Sequence, residues 1–93
     1  PFFTDGTSIQ ETQVIEEISK GIISIAQKGY GALVVIEKDI MVDYYIEQGT
    51  ELDAKVSAEA LESIFHPSAP MHDGAVLIRS GKIHSAGNFL PLS

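Results

Sequence analysis

Apolar side chains recur at Val14, Ile15, Ile18, Ile22, Ile25 and Ala26, at spacings of one, three and four that keep them within one arc of a helical wheel. This stripe predicts an amphipathic helix, with Ile23 outside its buried face. Ser8 and Glu11 have capping-box spacing at its start, and Thr7 with Gln10 is an overlapping alternative. Pro1 to Gly6 reads as a lead-in. Glu16 and Lys20 lie four apart on the polar face in the favourable order. Gly29 is placed to stop the helix in a left-handed conformation.

The pattern then changes. Residues Gly31 to Glu37 form a continuous, β-branched apolar run closed by an acid, which predicts a central strand covered on both faces. Lys38-Asp39 turns the chain, and Ile40 to Ile46 reads as a weaker, half-exposed strand broken by Gly49. Ser57 is placed to cap a short helix in which Leu61, Ile64 and Phe65 share a face, with Pro67 and Pro70 ending it. Asp73-Gly74 signals a turn into a strand over Ala75 to Arg79, and Ser80-Gly81 a tight hairpin into a strand over Lys82 to Leu90. Helix, strand, strand, helix and hairpin in this order predict an α/β domain whose mixed β-sheet is flanked by helices. No repeat or charge block divides the chain.

With 93 residues, 44% of them hydrophobic, the chain makes one domain or a large piece of one. It contains no cysteine, which excludes disulfides, thiolate metal sites and cysteine nucleophiles together. Thirteen acids against six Lys plus Arg give a formal charge of −7, a surface that repels a phosphate backbone, so neither DNA nor RNA is an expected partner. A single nucleotide is compatible with that charge when a metal ion and a few local donors outweigh it at short range. Arg79, the sole arginine, reads as a strand or hairpin surface residue. No apolar run reaches the roughly 20 residues that span a bilayer, and no signal-peptide pattern is present. A start at Pro1 without Met and a stop at Ser93 directly after a strand-like stretch predict a fragment of a longer protein.

The densest polar cluster is Met71-His72-Asp73-Gly74-Ala75, between the second helix and the buried strand. His72 and Asp73 offer a metal ligand or proton acceptor beside an oxyanion, and Gly74 permits close approach of a ligand to the backbone. The same Asp-Gly pair also serves as a plain turn former, with His72 as a cap. His66 reads as a surface residue facing the end of a helix dipole, and His84 as solvent-facing by strand alternation. Tyr44 and Tyr45 read as packing or interface residues. Glu37 meets either a substrate or water.

Four blocks, Gly31-Ala32-Leu33-Val34-Val35-Ile36-Glu37, Leu52-Asp53-Ala54-Lys55, His72-Asp73-Gly74-Ala75-Val76 and Phe89-Leu90-Pro91-Leu92-Ser93, resemble in order and spacing the signatures of the diadenylate cyclase domain. The resemblance runs over nearly the whole chain, makes residues 1–93 the N-terminal part of that domain, and is closest in wording to the membrane-associated bacterial branch. It implies an enzyme that condenses two ATP molecules into cyclic di-AMP with release of two pyrophosphates. Asp73 would assist the ribose 3′-hydroxyl in its attack on an α-phosphate, and His72 would hold a divalent metal, manganese, magnesium or cobalt. Gly74 and Ala75 would lie against ribose and phosphates, Leu52 and Asp53 on the adenine side, Phe89 against the base, and Ser93 within the substrate site. Relatives often carry Tyr where Phe89 stands.

The family's Arg-His-Arg signature, which grips the triphosphate downstream of the Leu-Pro-Leu-Ser block, is absent from this chain. A homodimer, face to face, follows from the two-fold symmetry of the product. The resemblance also implies a cytoplasmic domain whose parent is anchored at the membrane by a segment this chain lacks. Two rival readings remain: a truncated or degenerate module that binds a nucleotide or a partner subunit without turnover, and a metal phosphohydrolase built on the His-Asp pair.

Overall fold

In the computed structural model, which describes residues 9–39 and 41–91, the first helix, α1, runs over Ile9–Gln27. Ser8 and Thr7, the two proposed caps, lie outside the described residues. The buried line along α1 is Ile18, Gly21 and Ile25, with Val14 packed beside it. It is narrower than the sequence stripe, because Ile15 and Ile22 remain 56% and 42% exposed. The line passes through Gly21 because Leu61 lies directly against it: a Cβ there would stand 3.1 Å from Leu61 Cδ1. Ile23 is exposed, as its position outside the stripe predicts. Lys20 pairs with Glu17 at 3.2 Å rather than with Glu16. Gly29 stops the helix at φ 76°, with Gly29 N–H donating to Ala26 O and Tyr30 N–H to Ile25 O, the two bonds of a Schellman cap.

Strands β1 (Val34–Ile36), β2 (Thr50–Lys55), β3 (Ala75–Arg79) and β4 (Lys82–Asn88) form one mixed sheet in the order β1-β3-β4-β2. β1 runs parallel to β3 with Val34 opposite Val76, while β3–β4 and β4–β2 are antiparallel. Ser80 and Gly81 turn the β3–β4 hairpin with φ values of 53° and 75°, the double left-handed geometry of a type I′ turn. The mixed sheet and the element order are those the sequence predicts.

Two assignments need correction. The strand expected over residues 40–46 does not form: Tyr45 N–H donates to Val42 O at 2.7 Å, closing a turn, and the Glu37 carboxylate takes the Val42 N–H. Ile40 lies outside the described residues. The second strand is instead β2, where Leu52 and Ala54 alternate with exposed polar positions. The run at residues 31–37 was expected at the centre of the sheet, yet β1 occupies an edge with Leu33 and Ile36 about half exposed. The interior strands are β3 and β4, and β3 is the buried strand the sequence predicts, with Ala75, Val76, Leu77 and Ile78 all buried.

Helix α2 spans Ala58–Phe65 and starts as expected, with Ser57 Oγ accepting from Ala60 N–H at 3.1 Å. Leu61, Ile64 and Phe65 enter the core formed with α1, Val76, Ile78 and Ile83. Glu17 of α1 reaches the start of α2, where its carboxylate accepts from Ala58 N–H at 3.0 Å, and this bond holds the Glu17 carboxyl below its ordinary range. The two helices are therefore joined by a helix-terminus contact as well as by apolar packing.

Candidate functional site

The loop from α2 to β3 is organised by its own carbonyls. Ala69 N–H donates to His66 O at 2.8 Å, and His72 Nδ1 lies 2.7 Å from Ala69 O. A carbonyl only accepts, so Nδ1 carries the proton and Nε2 keeps its lone pair. His72 is exposed, which leaves that lone pair open to a ligand. This is the orientation in which a histidine serves a metal through Nε2 while its other nitrogen is tied to the backbone. Asp73 is exposed, and no hydrogen bond or ion pair joins its carboxylate to any described residue. Gly74 adopts φ 115°, and a Cβ there would stand 2.7 Å from Asn88 O. Both facts require glycine. Ala75 is buried as the first residue of β3 and pairs with Asn88 across the ladder.

The other side of this sheet end is the chain leaving β4. Phe89 is half exposed and is fixed by two backbone bonds, Phe89 N–H to Glu47 O at 2.9 Å and Glu47 N–H to Phe89 O at 2.7 Å. His72, Asp73, Gly74, Ala75 and Phe89 are thus gathered at one end of the sheet. Leu52 and Asp53 are not at that end. They sit in an irregularity of β2 between Glu51, which pairs with Ser85, and Ala54, which pairs with Ile83. Leu52 packs against the core, while Asp53 has φ 50° and places Oδ1 3.5 Å from Lys82 Nζ. Ser93 lies outside the described residues.

Among the described residues no group of three or more His, Asp or Glu side chains converges on a metal position. His72 Nε2 and the neighbouring Asp73 carboxylate are the two ligand-type groups of this loop, and a divalent ion there would need its remaining ligands from other groups or water. A groove of about 960 Å³ lies between α1 and the opposite end of the sheet and includes none of the residues of the His72-Asp73-Gly74-Ala75 loop.

The sequence missed two polar clusters. Arg79 donates to Glu37 through Nε at 2.7 Å and Nη2 at 2.9 Å, and Nη2 also lies 2.7 Å from Asp43 Oδ1. The Arg79 bond, then the Val42 N–H, hold the Glu37 carboxyl below its ordinary range, and the same pairing raises the guanidinium further. Arg79 is therefore half-buried and committed, not a free surface cation. His84 is corrected likewise: it is half-buried, with Nε2 3.2 Å from Arg79 Nη1 and Nδ1 3.0 Å from Ser85 Oγ. The signal was there in part, since Glu37 ends one strand and Arg79 another, but only the parallel pairing of β1 with β3 brings them together. The second cluster, around buried Ser85 and Asn88, left no mark beyond two polar residues in a strand-like stretch. His66 is on the surface at the end of α2, its ring edge-on to Tyr30 at 5.5 Å. Tyr44 and Tyr45 are 92% and 63% exposed, so they do not pack in this core.

The mixed four-stranded sheet with its two helices defines an α/β domain, with an exposed His-Asp pair and an aromatic ring at one strand end. Residues 19–93 match the family described as DAC, the DisA bacterial checkpoint controller nucleotide-binding domain, and the chain belongs to that family. A curated relative, the cyclic di-AMP synthase CdaA of Bacillus subtilis strain 168, is 46% identical over 99% of this chain and 34% of its own length. The diadenylate cyclase of Listeria monocytogenes serotype 1/2a is 43% identical over 95% of this chain and 33% of its own. The crystal structure of DacA from Staphylococcus aureus, an N166C/T172C double mutant, superposes with a TM-score of 0.83 at 41% identity, covering 92% of this chain and 57% of that one. The chain thus spans about a third of these curated relatives. Among the described residues no helix is long and apolar enough to cross a membrane.

Proposed function

We propose that this chain supplies the acid-bearing half of a diadenylate cyclase site, in which two ATP molecules form cyclic di-AMP. The observation that carries the reading is the His72-Asp73-Gly74-Ala75 loop, whose exposed acid, unpartnered among the described residues, heads the buried strand β3. Each ribose 3′-hydroxyl attacks the α-phosphorus of the other ATP, two P–O bonds form, and two pyrophosphates leave. Asp73 orients the hydroxyl and takes its proton. The backbone at Gly74 and Ala75 lies along ribose and phosphate, because no side chain at Gly74 stands in the way. Phe89 offers a flat apolar face to adenine, which loses nothing essential for stacking by lacking a hydroxyl. On the family pattern alone, Leu52 and Asp53, which stand away from that sheet end, and Ser93 would complete the adenine and substrate contacts. A divalent cation, manganese, magnesium or cobalt, held by His72 Nε2 would offset phosphate charge. Two-fold symmetry of the product calls for two such sites facing one another in a homodimer. The full-length parent is cytoplasmic at this domain and anchored at the membrane by another segment.

The test uses the full-length protein with ATP and manganese, with product separated by anion-exchange chromatography. Asp73→Asn lowers kcat by at least about 100-fold while ATP affinity stays within about threefold. Specific activity of the wild type falls on dilution as the dimer dissociates. Undiminished turnover in Asp73→Asn overturns the assignment, and dilution-independent activity from a monomer overturns the two-site arrangement. A second reading, nucleotide capture without turnover, is favoured by the commitment of the sole arginine to Glu37 and Asp43. ATP binding without product in the full-length protein selects it.

A further inference from the structure

Asn88 is the last residue of β4, 1% exposed, and its side chain is fully used. Nδ2 donates to Ala75 O at 2.9 Å and to Ser85 Oγ at 3.0 Å, and Oδ1 accepts from Gly49 N–H at 2.8 Å. The backbone of Asn88 is engaged as well, since Asn88 pairs with Ala75 and its carbonyl lies against the Gly74 turn. One planar amide therefore ties together three separate stretches of chain. The first is the start of β3, two residues after Asp73. The second is Gly49, two residues after Glu47, whose backbone grips Phe89 with bonds of 2.7 and 2.9 Å. The third is β4 itself.

We infer that Asn88 is a positioning residue that sets the placement of Asp73 relative to Phe89, and so the placement of the reacting ribose relative to the stacked base. The inference rests on the cyclase reading of those two residues. The chemistry restricts what stands at position 88. A buried group must donate to a carbonyl on one side and accept from an N–H on the other, within one rigid plane. A hydroxyl is too short to span the Ala75 and Gly49 sides together. An apolar residue leaves Ala75 O buried without this partner and releases the Gly49 N–H on the exposed side, and both losses draw the backbone into a new arrangement. Asn88 touches neither nucleotide nor metal in this account. It acts through Ala75 and Phe89, and small displacements of reacting groups cost rate more than affinity.

The test is Asn88→Leu, which keeps the branched shape and heavy-atom count and removes every side-chain hydrogen bond at this position, made in the full-length protein. The expected result is a kcat at least tenfold lower, about the loss that misplacement of reacting groups brings, with KM for ATP within about threefold and a melting transition still above the assay temperature. A kcat within about twofold of wild type overturns the inference, and so does a loss carried wholly by KM. If Asn88→Leu does not fold, Asn88→Ser, smaller and still polar, is read by the same criteria. If the wild type itself makes no cyclic di-AMP, the cyclase reading fails separately, and positioning is read from backbone amide resonances. The signals of Asp73, Gly74 and Phe89 then shift together in the variant while Val35 on β1 stays fixed. Movement of only one side of the site, or of neither, overturns the coupling.

Discussion

Glu37 and Arg79 stand far apart in sequence and meet because β1 and β3 run side by side, so that both side chains leave the same end of the sheet. The Glu37 carboxylate is only 8% exposed and accepts from Arg79 and from Val42 N–H. Its ordinary value of 4.5 is lowered in the folded protein, so the native state binds fewer protons than the unfolded chain through the acid range. Stability from this group is complete above about pH 4.5 and is lost as pH falls through the lower folded value. Glu37→Gln therefore costs roughly 1 kcal/mol at pH 7, as a charged hydrogen bond is weakened, and flattens the fall in stability between pH 5 and 3. Urea unfolding at several pH values measures this, and an unchanged acid slope removes Glu37 as its source. At this scale the contiguous His72-Asp73-Gly74-Ala75 loop was legible, because a motif within one loop needs no fold to assemble. The Arg79 and Asn88 clusters were not, since their partners come from other strands.

The packing of α1 on α2 turns on Gly21. Leu61 Cδ1 and Cβ would lie 3.1 and 3.2 Å from a Cβ at this position, tighter than ordinary contact. Gly21→Ala gains helix propensity of up to about 1 kcal/mol, which offsets the small displacement of Leu61. Gly21→Val brings two further methyl groups into the same gap and is expected to destabilise by roughly 1–3 kcal/mol. Denaturant midpoints of the two variants check the difference, and equal midpoints would show that the helices separate freely. Gly21 escaped the sequence reading because glycine carries no hydrophobic signal, although it is buried. The type and order of the elements were legible from periodicity and turn chemistry. The second strand was misplaced because Val42, Tyr44, Tyr45 and Ile46 have strong strand propensity, while the Glu37–Val42 bond and the Arg79–Asp43 pair hold this stretch in a turn. Propensity gave way to tertiary contacts, as it commonly does for strands.

At the scale of the molecule, the sheet has two unlike ends. One carries the ion-paired Glu37, Asp43 and Arg79; the other carries His72, Asp73 and Phe89. Among the described residues five of the six basic side chains lie within 4 Å of an acid, Lys55 being the exception, so the −7 charge is little relieved by free cations near the candidate site. Phosphates approaching that end therefore depend on a cation, on backbone N–H groups, or on residues beyond those described.

The strand order also dictates a sequence of events in time. The β3–β4 hairpin closes between adjacent residues, whereas β1 reaches β3 only by bringing Val34 to Val76, across 42 positions. Closing the longer loop costs more chain entropy, and β1 has only three residues and one neighbour with which to offset it. The hairpin is expected in the folding nucleus and β1 as a late addition. In the full domain, Ile83→Val slows folding, while Val35→Ala leaves the folding rate nearly unchanged and speeds unfolding. Stopped-flow chevrons separate the two, and equal slowing by Val35→Ala would place β1 in the nucleus instead. Asp73 and Phe89 flank the early hairpin, so the candidate site takes shape before the edge of the sheet is closed.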